Sequence, residues 1–124
     1  MPVQKKDGVC EGGVKLIFPC SGAADVGEIS DRAARSMTTQ GVGKMFCLAG
    51  IGGNVDGIIA ATKKADQILL IDGCNLDCTK KSMEARGIEK FVHMRVTDLG
   101  MEKSKSPATG ERISEIVNHA KNLL

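Results

Sequence analysis

The chain has no tryptophan and no tyrosine, and three phenylalanines are its only aromatic residues. A single-stranded nucleic-acid platform stacks bases on aromatic rings, so this composition argues against one. No apolar run reaches the roughly 18 to 20 residues of a membrane span. Charge of one sign is also missing: 17 basic against 15 acidic residues leave a net +2. The pairs Lys5-Lys6, Lys63-Lys64 and Lys80-Lys81 are scattered and read as solvated positions on loops and helix surfaces, not as a nucleic-acid stripe. Neither nucleic acid nor membrane is therefore expected as a partner. Nothing in the residues points to a particular small-molecule or protein partner, or to an oligomeric state.

What is present is an aliphatic core and five cysteines. A hydrophobic fraction of 42% in 124 residues suits one domain with its own core. The opening Met1-Pro2-Val3-Gln4-Lys5-Lys6-Asp7 lacks a hydrophobic signal segment, so the expected location is the cytoplasm, where thiols stay reduced. An odd cysteine count in that setting favours metal binding or redox chemistry over a disulfide framework.

Residues 1–13 are polar and glycine-containing, and read as a flexible leader to a domain at 14–124. A first strand is expected at Val14–Phe18, closed by Pro19. Val26, Ile29, Ala33 and Met37 recur at helical intervals and predict a helix over Ala23–Gln40, stopped by Gly41 and Gly43. A second strand is expected at Lys44–Ala49, before the glycine-rich turn Gly50-Ile51-Gly52-Gly53 and a helix over Val55–Lys64. The third strand, Gln67–Ile71, carries the run Ile68-Leu69-Leu70-Ile71, the mark of a strand buried on both faces. A helix from Cys74 or Asn75 to Arg86, a strand over Lys90–Val96 and a helix over Thr109–Leu124 complete the pattern. Alternation of strand and helix predicts an α/β fold: a single-domain, three-layer, flavodoxin/Rossmann-like arrangement around a four-stranded, mostly parallel sheet of order 2-1-3-4.

Laid on that outline, Cys20, Cys47, Cys74 and Cys78 all fall toward the carboxyl ends of strands, where open parallel sheets bind their ligands. Cys74 and Cys78 stand four apart, and on one helix they would share a face. A helix amino terminus favours thiolate over thiol, and zinc accepts four thiolates. Gly73 is expected to let the chain turn tightly into Cys74. Buried cysteine is also simply a small apolar residue, a reading that would suit Cys47 taken alone. Four cysteines at one edge favour a shared metal site. Cys10 lies outside the group and reads as an incidental loop thiol.

These residues resemble the DGC-domain family of small zinc-binding proteins, which takes its name from an Asp-Gly-Cys motif, here Asp72-Gly73-Cys74. The similarity runs from Phe18-Pro19-Cys20-Ser21-Gly22 through Cys47-Leu48-Ala49-Gly50 to Cys78, with Thr97-Asp98-Leu99-Gly100 as a further recurrent feature. The resemblance implies Cys20, Cys47, Cys74 and Cys78 as metal ligands and supplies no reaction.

Two chemistries follow. In the first, four thiolates hold Zn2+ in a closed shell, structural or sensory, with a lysine such as Lys44 or Lys80 offsetting the excess negative charge; an iron–sulfur cluster suits the same ligands. In the second, the chain is a thiol-based redox or sulfur-transfer enzyme, with Cys20 as nucleophile and Cys74 or Cys78 as resolving thiol. No C-x-x-C pair supports the second, and the anion-binding arginine of a phosphatase loop would fall at Val26. Nucleotide binding at Gly50-Ile51-Gly52-Gly53 is weaker still: Val55 stands where a dinucleotide fingerprint needs glycine. The glycines there are expected to let the backbone pass close to the cysteine site. Asp98 reads as a turn residue or an acceptor behind the site, and Asp72 as an acceptor for backbone N–H groups around the turn. His93 reads as a half-buried sheet residue, His119 as solvent-facing, and Met83, Met94 and Met101 as core filling.

Overall fold

A computed structural model of the protein describes residues 13–124. Except for Gly13, the expected leader lies outside the described residues, as does Cys10.

The run Ile68-Leu69-Leu70-Ile71 forms the centre of the sheet. It lies within β3 (Gln67–Asp72), whose residues from Ile68 onward are all buried. β1 (Lys15–Pro19) pairs with it in parallel along five positions, from Lys15 opposite Gln67 to Pro19 opposite Ile71. β2 (Lys44–Met45) joins the other edge of β1, and β4 (Val92–Arg95) joins β3. The sheet is wholly parallel, in the order β2-β1-β3-β4, as the alternation predicts.

Alternating side chains along β1 and β3 divide the core into two layers. Ile17, Leu69 and Ile71 face α1 (Asp25–Thr39) and α5 (Gly110–Lys121), where they meet Ile29, Met37 and Ile116. Leu16, Phe18, Ile68 and Leu70 face the opposite side, packing with Ile51 of α2 (Leu48–Gly52), Met83 of α4 (Cys78–Ala85) and, partly buried, Ile58 of α3 (Asp56–Lys64). Each wholly buried Ile or Leu contributes about 1.5–3 kcal/mol of transfer free energy. Ile17, Leu69, Leu70 and Ile71 are all 0% exposed, so the β1–β3 pair, not the two-residue β2, anchors the sheet. Met83, Met94 and Met101 fill the core as expected. Thr109 caps α5, its hydroxyl accepting the Arg112 N–H at 3.2 Å.

Three local expectations need correction. The second strand is shorter than Lys44–Ala49: after the Phe46 N–H bonds to the Ile17 carbonyl, the chain leaves the sheet and α2 starts at Leu48. A short apolar run carries no period that separates strand from helix. The glycines at 50–53 are the end of that helix, and a Cβ at Gly50 would collide with Ile58, so this glycine makes room for α3 rather than for a cysteine. Finally, α4 starts at Cys78, not at Cys74 or Asn75. Asp77 has φ 56°, the left-handed region, which no interior helix residue adopts.

Candidate metal centre

The chain passes from β1 outward to β2, then back across to β3, so the carboxyl ends of β1 and β3 form the switch point where such sheets bind ligands. Cys20 sits on that point. Its N–H bonds to the Ile71 carbonyl at 3.0 Å, and its sulfur accepts the Gly73 N–H at 3.4 Å. The Ser30 hydroxyl lies 3.4 Å from the same sulfur and donates its hydrogen to the Gly27 carbonyl at 2.7 Å. With that hydrogen committed, the Cys20 S–H is the donor to Ser30.

Cys47 precedes α2 and is exposed. It shares with Cys20 an open cavity of about 540 Å³, walled by Pro19, Met45, Phe46 and Leu48 and bounded on its polar side by Ser21, Asp31, Arg35 and Ser82. Cys78 is the exposed first residue of α4, one helical turn before Ser82, and does not itself line the cavity. Cys74 lies on the turn after β3, half-buried against the α1–α5 layer, with Lys103 Nζ 4.0 Å from its sulfur. Lys103 thus places a cation beside one of the four cysteines.

All four cysteines follow the carboxyl ends of β1, β2 and β3, and all four are free thiols. Cys74 and Cys78 do not share a helix face, because the turn through Asp77 separates them. Gly73 serves close packing: a Cβ there would lie 2.9 Å from the Gly27 nitrogen and the Val26 carbonyl carbon in the first turn of α1.

A polar network invisible in the motif holds this edge. Asp72 is 1% exposed, and its carboxylate accepts the Thr79 N–H at 2.8 Å, the Lys80 N–H at 3.2 Å and His93 Nε2 at 2.9 Å. The expectation that Asp72 accepts backbone hydrogen bonds holds, and His93 is the half-buried sheet residue foreseen. Their partnership was not foreseen. It follows from the register: His93 pairs with Leu70, so its side chain leaves the same sheet face as Asp72, two residues on. Asp77 is held by Arg95, whose Nε and Nη2 each donate to one carboxylate oxygen at 2.7 Å. That bidentate bond keeps the Asp77 carboxyl below its ordinary range and raises the Arg95 guanidinium.

Among the described residues, Asp72, Asp77 and His93 form a group whose potential ligand atoms lie within 4.8 Å of one another; the four sulfurs do not. Every oxygen of the two acids already accepts a protein N–H, so this trio is accounted for without an ion. Asp98 is not a turn residue: it is exposed within a single 3-10 turn of helix, Val96–Leu99, 3.7 Å from Arg95, and His119 is exposed on α5.

A DGC-domain family model matches residues 16–120. The chain belongs to the DGC domain family. It is also similar to the anaerobic and virulence modulator AnvM of Pseudomonas aeruginosa PAO1, 27% identical over 88 residues that cover 71% of this chain and 67% of that one. No solved structure matches the chain. No helix among the described residues is long and apolar enough to cross a membrane.

Proposed function

We propose that this DGC-domain chain binds Zn2+ through Cys20, Cys47, Cys74 and Cys78, in a structural or sensory role. What supports the reading is the convergence of four free cysteines on one edge of the sheet, from the ends of three different strands. The donor chemistry fits: zinc takes four thiolates at about 2.3 Å in a closed tetrahedron, which leaves no position for water and calls for no catalysis. Sulfurs in such a shell stand about 3.8 Å apart, so binding must draw in the exposed Cys47 and Cys78. The Gly73 N–H on Cys20 and the ammonium of Lys103 beside Cys74 offset part of the thiolate charge. A reducing, cytoplasmic setting keeps the thiols available. The name of the relative, a modulator, suits a sensory site better than a catalytic one.

A second reading rests on the cavity at Cys20. There, the Cys20 thiolate attacks one sulfur of a disulfide substrate and expels the other half as a thiolate. Cys74 or Cys78 then attacks the mixed disulfide at Cys20 and releases the second half, leaving an intramolecular disulfide.

One experiment separates the two. Metal content is measured on tag-free protein, with thiols counted before and after chelation. Near-stoichiometric zinc and four thiols unmasked only by chelation support the metal reading. Iron with visible charge-transfer absorption replaces zinc by a cluster. Metal-free protein with one or two unusually reactive thiols favours the enzyme.

A further inference from the structure

Four non-glycine residues have left-handed backbone: Ser21 at φ 53°, Asn54 at 59°, Asp77 at 56° and Ser104 at 73°, among the described residues. Three of them adjoin the cysteine edge. Ser21 follows Cys20, Asp77 precedes Cys78, and Ser104 follows Lys103, which reaches Cys74. Such backbone is strained in a residue that carries a Cβ, and it persists only where the surroundings enforce it.

Each of the three is held by an ionic side chain. The Ser21 hydroxyl donates to Asp31 at 2.7 Å, and Arg35 fixes that acid from its other oxygen, also at 2.7 Å. Asp77 is gripped by Arg95 through two bonds of 2.7 Å. The Ser104 N–H donates to Asp25 at 2.9 Å, and the Ser106 N–H to the other oxygen of Asp25 at 3.0 Å. We infer that Asp31, Arg95 and Asp25 are positioning residues: each clamps one strained joint and thereby sets Cys20, Cys78 or the lysine partner of Cys74 for metal capture.

The charge states agree. The Ser104 N–H above all holds the Asp25 carboxyl below its ordinary range. Burial works against ionisation of Asp31, but hydrogen bonds from Arg35 and Ser21 prevail and lower it. The inference rests on the four-cysteine reading for its purpose, but the clamps have a consequence that needs no metal. A clamp acts on one cysteine. General loosening acts on all.

The test uses the 124-residue chain with Arg95→Gln, Asp31→Asn and Asp25→Asn introduced singly. Alkylation of each cysteine in chelator-treated protein is followed by mass spectrometry, and zinc affinity by competition with a chromophoric chelator. Arg95→Gln should change the alkylation rate of Cys78 severalfold and leave Cys47 unchanged; Asp31→Asn should do so at Cys20, and Asp25→Asn at Cys74. Zinc affinity should fall about 10- to 100-fold in each, the effect of losing a partner behind the ligands. Equal rate changes at all four thiols, or wild-type rates at the named ones, would overturn the clamps. If wild-type protein binds no zinc, the four-cysteine reading fails while residue-specific alkylation still supports the clamps.

Discussion

His93 Nε2 stands 2.9 Å from Oδ2 of Asp72, an acid that is 1% exposed and lies in the Asp-Gly-Cys motif itself. The same carboxylate receives the Thr79 and Lys80 N–H groups in the first turn of α4. Asp72 thus ties the end of β3 to β4 and to the helix that opens with Cys78. It organises the site without having to touch a metal.

Asp72→Ala should therefore leave one buried and one part-buried helix donor, and a half-buried histidine, without their acceptor. Hydrogen bonds to charged groups contribute about 1.5–3 kcal/mol each, and an orphaned buried donor costs about 1–3 kcal/mol. A loss of about 2–4 kcal/mol in urea unfolding is expected, with His93→Gln costing less because the two backbone bonds remain. Equal stability of Asp72→Ala and wild type would show that the carboxylate is not needed for the fold.

The ligand assignment predicts a pattern among single substitutions. Cys47→Ser and Cys78→Ser should each release zinc, because a hydroxyl is a far poorer zinc ligand than a thiolate. Cys10→Ser, outside the described residues, should retain it. Equal metal retention in the three variants, read by elemental analysis after desalting, would refute the set.

Much of this architecture is legible in the residues. The run Ile68–Ile71 announces a strand buried on both faces, and the spacing of Val26, Ile29, Ala33 and Met37 announces α1. The edges of these elements are less legible. Met45-Phe46-Cys47-Leu48-Ala49 has no period to separate strand from helix, and the chain divides it between both. The turn from Cys74 to Asp77 is set by Arg95, 18 residues beyond Asp77, across the register of β3 and β4. No local propensity encodes that pairing. A signal was present all the same: His93 and Arg95 are two apart on a strand and so share a face, where a buried acid is the natural partner.

Gly73 carries a steric prediction. A Cβ there would lie 2.9 Å from backbone atoms of Val26 and Gly27, which cannot swing aside as a side-chain end could. Gly73→Ala must push β3 away from α1 and draw the Gly73 N–H off the Cys20 sulfur. Overpacking of this kind costs about 1–3 kcal/mol. A lowered Tm together with altered Cys20 alkylation is the expected result; a lowered Tm alone would separate the packing from the site.

Asp25 makes the chain sensitive to acid at one loop. The N–H groups of Ser104, Ser106 and Val26 hold its carboxyl below the ordinary 3.8. A group whose pKa is lower in the folded state adds stability that is fully present above the unfolded value and is lost as pH falls through the folded one. The gap in urea midpoint between wild type and Asp25→Asn should be constant near neutral pH. Below about pH 4 it should close, as the wild-type carboxylate takes up its proton. Proteolysis in the Glu102–Lys105 segment should quicken over the same range, since Ser104 and Ser106 are released together. A gap that persists unchanged into strong acid would mean that the carboxylate charge contributes nothing to holding the loop, and that the bonds to Ser104 and Ser106 serve a neutral acid as well as an ionised one.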